Sequence, residues 1–134
     1  MDLIEYDKWN EIKKELSLNK SKVNFNEKEI FMTYIGKNIG YEQNGDKKQN
    51  FLRPMLVYKK FSRNLFLGIP LTTTPKDGKF YFSFVFKNEK ISTAILSQIR
   101  LVDSKRCKYR MGQIKNEDYK KLVEKFKILV DVTP

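Results

Sequence analysis

Histidine is absent from this 134-residue chain, and Cys107 is its single cysteine. A lone cysteine excludes an internal disulfide, and the usual zinc-ligand spacings need histidines or further cysteines. Metal chemistry would require carboxylates alone, so we expect neither a metal nor another cofactor. The N-terminus lacks a signal-peptide pattern and an apolar run of about 18 residues, which favours a cytoplasmic protein that does not bind a membrane.

Acidic residues are scarce relative to basic ones. The chain has 16 Asp and Glu against 27 Lys and Arg, which gives a formal net charge of +11. Such a charge attracts phosphate backbones or the acidic segments of a partner. The alternative is a lysine-rich surface that only solvates the protein. The 40% hydrophobic and 13% aromatic content is sufficient for one packed globule of this length.

Short strands separated by turn residues are predicted through the middle of the chain. Runs of strand length occur at residues 30–35, 54–58, 65–69, 79–87 and 91–99. The sequence Lys76-Asp77-Gly78-Lys79 predicts a tight hairpin turn. Strands at this spacing indicate a barrel or a sandwich, and therefore a mainly β fold.

The fourth predicted strand carries phenylalanine at every second position, at Phe80, Phe82, Phe84 and Phe86. Alternate residues of a strand point to one face, so we expect these rings in the hydrophobic core. The alternative is an exposed platform for nucleic-acid bases, although such platforms usually comprise two or three rings.

Helical periodicity occurs near both ends of the chain. Trp9, Ile12 and Leu16 lie at i, i+3 and i+7, which predicts a short N-terminal helix. A second apolar stripe predicts a closing helix, with Asn116 as its N-cap. The residues of that stripe are Tyr119, Leu122, Val123, Phe126 and Leu129.

Four motifs follow one another between residues 40 and 103. They are Gly40-Tyr41-Glu42-Gln43-Asn44-Gly45, Arg53-Pro54-Met55-Leu56-Val57, Ile69-Pro70-Leu71-Thr72-Thr73 and the segment from Ile95 to Asp103. In this order they resemble the MazF/PemK toxins, whose pattern is G-x-E-Q-x-G, R-P before three hydrophobic residues, P-hydrophobic-T, and Q-x-R-T-x-D. Each motif alone is common, but four in the correct order are hard to obtain by chance.

The resemblance covers roughly residues 30 to 130 and implies a small SH3-like CcdB/MazF-type β-barrel with a C-terminal helix. It also implies a homodimer. We therefore divide the chain into an N-terminal helix and linker at residues 1–29 and a barrel domain at residues 30–134. The extension at residues 1–29 has no counterpart in the minimal toxins, and residues 46–52 form an insertion before Arg53.

The same resemblance implies the toxin of a type II toxin–antitoxin system, which cleaves single-stranded RNA at selected sequences without a metal. Such cleavage needs a base for the 2′-hydroxyl, positive charge for the phosphorane-like transition state and an acid for the leaving oxygen. The family pattern implies Glu42 as the base, Arg53 as the phosphate ligand and Thr72 as a second contact. The alternatives are an exposed loop glutamate, a salt bridge between Arg53 and Glu42, and an ordinary strand-end threonine.

Further side chains are expected along the RNA groove, where loop residues would read splayed bases and basic residues would hold the backbone. These expected RNA-binding residues are Gln43, Lys47, Lys48, Lys59, Lys60, Arg63, Thr73, Ser97, Gln98 and Arg100. We expect Gln98 and Arg100 on one face of their strand. Ser97 stands where some family members carry a carboxylate.

A second partner is implied by the resemblance, because family toxins are held inactive by an acidic, partly disordered antitoxin, and the pair binds DNA. One alternative is a non-catalytic barrel of this fold that binds nucleic acid or a protein such as gyrase. The gyrase-poisoning relatives usually lack the Arg-Pro and Pro-x-Thr motifs, which favours the ribonuclease. Another alternative is an inactive relative, suggested by the absent histidine and by Ser97.

Overall fold

A computed structural model describes residues 23–36 and 52–132. Within these ranges the elements are β1 (Glu29–Tyr34), β2 (Leu52–Lys60), β3 (Leu65–Thr72), β4 (Tyr81–Lys87), β5 (Lys90–Ile95), β6 (Arg100–Asp103), β7 (Cys107–Gln113) and α1 (Asn116–Val130). Short 3₁₀ turns at Leu96–Gln98 and Ser104–Arg106 flank β6. The predicted N-terminal helix and the motif around Glu42 lie outside the described residues.

The strands form one curled antiparallel sheet. Its order is β4-β5-β3-β2-β1-β7, and β6 pairs with β3 beside this path. The strand β3 pairs with β2, with β6 through Leu65 to Gly68, and with β5 only through Leu71 and Thr72. Because β3 exchanges one neighbour for another along its length, the sheet curls into a half-barrel. The prediction of a mainly β, barrel-like fold with a C-terminal helix is confirmed.

Both faces of the central strands are buried. Ile30 of β1 and Leu56 of β2 face a core that α1 closes with Leu122. The next residues along these strands, Phe31 and Val57, face a second core on the other side of the sheet. This alternation follows from the two-residue period of a strand. The β1 and β2 pair is therefore held from both sides.

The helix α1 packs by the predicted apolar stripe. Leu122 and Phe126 are buried, and Tyr119 and Leu129 pack against the same core. The predicted cap is wrong, since Asn116 is the first helical residue and its Oδ1 accepts a hydrogen bond from Lys28 Nζ at 2.9 Å. Within the described ranges α1 is the single α-helix, and it is too short and too polar to cross a membrane.

The tight hairpin turn lies at Asn88 and Glu89 rather than at residues 76–79. These two residues have φ of 52° and 56°, as a type I′ turn requires, and they join β4 to β5. Residues 76–79 belong to the longer connection between β3 and β4. Those strands are not neighbours, because β5 lies between them in the sheet. The Asp-Gly pair therefore marks a turn but not a hairpin.

The phenylalanine ladder is confirmed for three of its four rings. Phe84 is buried, and Phe82 and Phe86 pack against it, with ring centroids 6.2 Å and 5.9 Å from that of Phe84. The fourth ring was wrongly placed, since Phe80 precedes β4 and is 40% exposed.

Two strands differ from the prediction near the C-terminal part of the sheet. The predicted strand at 91–99 ends at Ile95, where the 3₁₀ turn begins. The strand β7 was missed, because it lies at the edge of the sheet and exposes Lys108, Tyr109 and Arg110. An edge strand with so many solvent-facing polar residues lacks the apolar alternation by which strands are predicted.

We expect Leu122→Ala to lower the free energy of unfolding by about 3 kcal/mol, because it leaves a cavity under α1. The matched control is Ile128→Ala on the same helix, where the side chain is 77% exposed. That change should alter stability by no more than about 0.5 kcal/mol. Urea denaturation measures both values, and equal losses would contradict the packing of α1.

Candidate functional site

A cavity of about 530 Å³ opens where β2 begins and β3 ends. Its polar lining comprises Arg53, Thr72, Thr73, Thr74, Lys87, Asn88, Lys90 and Ser92, and its apolar lining comprises Met32, Leu52, Pro54, Leu71, Phe86 and Met111. This volume is within the usual range of ligand pockets. The cavity is therefore large enough to take part of a nucleotide chain.

The pairing of β2 with β3 brings two of the sequence motifs together. Met55 pairs with Pro70 and Leu56 with Ile69 in antiparallel register. Continuing this register by two residues sets Arg53 opposite Thr72. Two residues that are far apart in sequence thus meet at one end of the sheet and line one cavity.

All charged side chains that line the cavity within the described ranges are cations. They are Arg53, Lys87 and Lys90. Their fields add within a concave, partly apolar surface, which favours the binding of an anion. Residues 23–36 and 52–132 contain no group of three His, Cys, Asp or Glu side chains that could hold a metal ion.

Arg53 is half-buried at the beginning of β2, with its guanidinium anchored to the neighbouring strand. Its Nη1 donates a hydrogen bond to the carbonyl oxygen of Leu71 at 3.2 Å. Because Leu71 precedes Thr72, this bond holds the guanidinium beside the Thr72 position. A planar guanidinium restrained in this way is preorganised for an oxyanion.

Thr72 is the last residue of β3 and is only 9% exposed. Its Oγ1 accepts a hydrogen bond from the backbone N–H of Thr74 at 3.2 Å. This bond orients the hydroxyl and uses only its acceptor capacity, since a hydroxyl also has one proton to donate. The site therefore combines an anchored guanidinium with an oriented hydroxyl donor.

The family model for PemK-like, MazF-like toxins of type II toxin–antitoxin systems matches residues 28–130. The chain belongs to this family. Among curated proteins there is no match.

Solved structures of MazF proteins share the fold of this MazF/PemK toxin. The Mycobacterium tuberculosis toxin MazF-mt6 is 12% identical, with a TM-score of 0.60 over 79% of this chain and 99% of that one. MazF from Deinococcus radiodurans is 15% identical, with a TM-score of 0.63 over 83% and 98%. An endoribonuclease from Mycobacterial species, in complex with its cognate antitoxin, is 12% identical, with a TM-score of 0.58 over 81% and 97%.

Three predicted site residues of this MazF/PemK toxin, Arg53, Thr72 and Thr73, line the cavity. Glu42, Gln43, Lys47 and Lys48 lie outside the described residues. That segment joins the end of β1 to Leu52, which itself lines the cavity.

The predicted basic residues Lys59, Lys60 and Arg63 lie at the far end of the β2–β3 hairpin. At about 3.3 Å per residue, Lys59 is about 20 Å along β2 from Arg53. Lys60 Nζ donates to the carbonyl oxygen of Phe25 at 2.9 Å and lies 4.7 Å from the centroid of its ring. The structure thus gives Lys60 a packing contact and separates all three residues from the cavity.

Ser97, Gln98 and Arg100 also lie outside the lining of the cavity. Ser97 and Gln98 belong to a 3₁₀ turn, so the prediction that Gln98 and Arg100 share a strand face is wrong. Arg100 pairs with Gly68, four residues before Thr72 on β3.

Sequence reasoning missed the contribution of the β4–β5 hairpin, whose Lys87, Asn88, Lys90 and Ser92 line the cavity. The available signal was the pair of lysines around a two-residue turn. It lies between the strands predicted at residues 79–87 and 91–99, but nothing in the sequence alone places that turn beside Arg53.

Two groups with raised pKa values, Cys107 and Tyr119, lie outside the lining of the cavity. Burial raises the pKa of the Cys107 thiol to about 12, which excludes it as a nucleophile near neutral pH. Burial also raises the pKa of Tyr119 to about 12, and its hydroxyl donates to the carbonyl oxygen of Tyr58 at 2.6 Å. Both groups are structural.

Thr72→Val should cost about 1 kcal/mol of unfolding free energy, because it removes the acceptor of the Thr74 N–H. Thr73→Val is the matched control, since this neighbouring side chain is exposed. It should change stability by less than about 0.5 kcal/mol. Urea denaturation distinguishes them, and an unchanged midpoint for Thr72→Val would show that the bond does not orient the hydroxyl.

Proposed function

We propose that this toxin is a metal-independent endoribonuclease that cleaves single-stranded mRNA in the cytoplasm at selected sequences and so inhibits translation and growth. One observation carries the proposal. Arg53 and Thr72 line the same cavity, and every charged side chain among the described residues of its lining is positive. Family membership supports the reaction class, because the matched model describes toxins of type II toxin–antitoxin systems.

In the proposed reaction the scissile phosphate lies against Arg53 and Thr72. The ribose 2′-oxygen attacks phosphorus, the bond to the 5′-oxygen breaks, and the products are a 2′,3′-cyclic phosphate and a free 5′-hydroxyl. Negative charge grows on the non-bridging oxygens, where the guanidinium and the threonine hydroxyl donate hydrogen bonds. Glu42 is proposed to take the proton of the 2′-hydroxyl, and the leaving 5′-oxygen takes up a proton from solvent water.

Single-stranded RNA is the proposed substrate because an unpaired strand can present one phosphate and splay its bases. The apolar part of the lining, which includes Phe86 and Met111, gives a base a surface on which to pack. A duplex would expose neither its base faces nor a freely rotating 2′-hydroxyl to such a cavity.

We further propose an acidic antitoxin as the second partner. A net charge of +11 and three cations around one cavity favour a negatively charged segment that covers the site. One solved structure of this fold is described as an endoribonuclease in complex with its cognate antitoxin. An antitoxin that binds here would compete directly with RNA.

A homodimer is proposed as well, because a cavity at the end of one sheet offers a short surface to an RNA strand and a second copy would extend it. Analytical ultracentrifugation at micromolar concentration should give twice the chain mass of 16.0 kDa. A single species of one chain mass at that concentration would rule out the dimer.

Arg53→Ala should lower the rate of RNA cleavage by a factor of about 10² to 10³, because a preorganised donor to the transition state is lost. Arg53→Lys should recover only part of the rate, since the ammonium keeps the charge but lacks the planar fork. Purified proteins are incubated with a long single-stranded RNA, and the 5′ ends of the fragments are mapped.

Thermal midpoints are measured beside the rates, and both variants should stay folded at the assay temperature. The reaction is run with and without excess chelator, and equal rates are expected. Normal cutting by Arg53→Ala, or loss of cutting only through unfolding, would make Arg53 a structural residue. Loss of cutting in chelator would contradict the metal-free reaction, and RNA binding without cutting would favour a non-catalytic barrel.

A further inference from the structure

Lys87 and Lys90 flank the two-residue turn of the β4–β5 hairpin and pair directly across it. Residues that pair in this way carry Cβ atoms about 5 Å apart on the same face of the sheet. Both lysines are exposed, and both line the cavity that contains Arg53 and Thr72. Two lysine side chains therefore start from neighbouring backbone positions at one wall of the candidate site.

Two like charges directly opposite each other destabilise a hairpin. In the part of the chain that the structure describes, neither Lys87 nor Lys90 forms an ion pair with a carboxylate. An anion bound between the two ammonium groups would convert their repulsion into attraction. The arrangement is thus unfavourable by itself and favourable with a bound phosphate.

The turn fixes the position of this pair. Asn88 and Glu89 both have left-handed backbone conformations, with φ of 52° and 56°. A two-residue turn of this type sets the register of the strands that it joins. The two lysines are consequently kept opposite each other instead of moving apart along a flexible loop.

The two walls of the cavity have different chemistry. Arg53 provides a planar guanidinium that can keep its hydrogen bonds to an oxyanion while the geometry at phosphorus changes. Lysine ammonium groups act instead as compact point charges on flexible side chains. A phosphate that is bound but not rearranged needs only such point charges. This difference favours a second phosphate at the hairpin rather than a second set of contacts to the scissile one.

We propose that Lys87 and Lys90 together bind one backbone phosphate of the RNA, next to the scissile phosphate at Arg53 and Thr72. This inference rests on the proposed ribonuclease function and adds the residues that set the position of the strand. The contact is the same before and during bond cleavage, so it strengthens binding of substrate and transition state equally. Losing it should raise KM and leave kcat unchanged.

The test compares two double variants of the full chain. Lys87→Gln/Lys90→Gln removes the hairpin charges, and Lys120→Gln/Lys121→Gln removes the same charge from two exposed residues of α1. With a long single-stranded RNA, the hairpin variant should show a KM raised about tenfold and a kcat within about twofold of wild type. The helix variant should change neither value by more than about twofold.

Salt dependence provides a readout that a structural role would not change. Binding of a short random-sequence 2′-deoxy single strand, which cannot react through a 2′-hydroxyl, is measured over a range of salt concentrations. For the hairpin variant, the slope of log affinity against log salt should become shallower by about 0.7, the effect of losing one phosphate contact on a single strand. The helix variant should keep the wild-type slope.

Stability controls accompany both measurements. The hairpin variant should have a thermal midpoint no lower than that of wild type, because a repulsive pair is removed. Lys87→Arg/Lys90→Arg keeps both charges and should retain a KM within about twofold of wild type. If Lys87→Gln/Lys90→Gln does not fold, the single variant Lys90→Gln is measured in its place. Its KM should rise about threefold.

The proposal would be overturned if the hairpin and helix variants had equal KM values and equal salt slopes. It would also be overturned if the hairpin variant showed a lower kcat at an unchanged KM. A wild-type protein that binds the 2′-deoxy strand but cuts no RNA contradicts the ribonuclease function alone. In that case the comparison of binding slopes still tests the lysine pair. A wild-type protein that neither binds nor cuts contradicts both proposals.

Discussion

The antiparallel register between β2 and β3 is the constraint on which the candidate site depends. It sets Arg53 opposite Thr72, and the bond from Arg53 Nη1 to the carbonyl oxygen of Leu71 then holds the guanidinium at that end of the sheet. A shift of one residue would turn every side chain of β2 to the other face. Such a shift would move Leu56 and Val57, which are buried on opposite faces, into each other's cores, where side chains of a different shape and volume would not pack. The two hydrophobic cores therefore fix the geometry of the polar site.

This coupling places a cationic site on a rigid support. Cations close together in a cavity repel one another, which lowers the stability of the fold. Burial of apolar side chains on both sides of the sheet offsets this repulsion. Proteins commonly hold such locally unfavourable groups at functional sites and compensate for them elsewhere. Thr72 is itself buried and Arg53 is half-buried beside these cores, so the same packing holds both polar side chains in place.

Local patterns in the sequence were sufficient for most of the fold. The apolar stripe around Leu122 and the alternation of Phe82, Phe84 and Phe86 each describe one face of one element, so neighbouring residues alone reveal them. Arg53 and Thr72 are predicted as site residues only through the family resemblance, which associates motifs that are distant in sequence. No local signal states which strands are neighbours, so the Asp-Gly pair at residues 76–79 predicts a hairpin that the strand order does not contain.

The same limit explains why several of the basic residues predicted along the RNA groove lie away from the cavity. Lys59 and Lys60 follow closely after the Arg-Pro motif in sequence, but a strand extends the chain by about 3.3 Å per residue and carries them away from Arg53. Lys87 and Lys90 are distant in sequence and reach the cavity because β5 pairs with β3 at Thr72. Tertiary pairing, and not spacing along the chain, decides which cations share a site.

The β4–β5 hairpin shows the balance between stability and function most directly. Glu89 adopts a left-handed conformation, which costs an L-residue other than glycine or asparagine about 1 to 2 kcal/mol. A longer loop would remove this strain, and an opposite charge at residue 87 or 90 would remove the repulsion between the lysines. Either change would also release or neutralise the two ammonium groups at the cavity wall. The strained turn and the like-charged pair thus have one physical consequence in common, which is a positive charge kept at the wall of the cavity that contains Arg53 and Thr72.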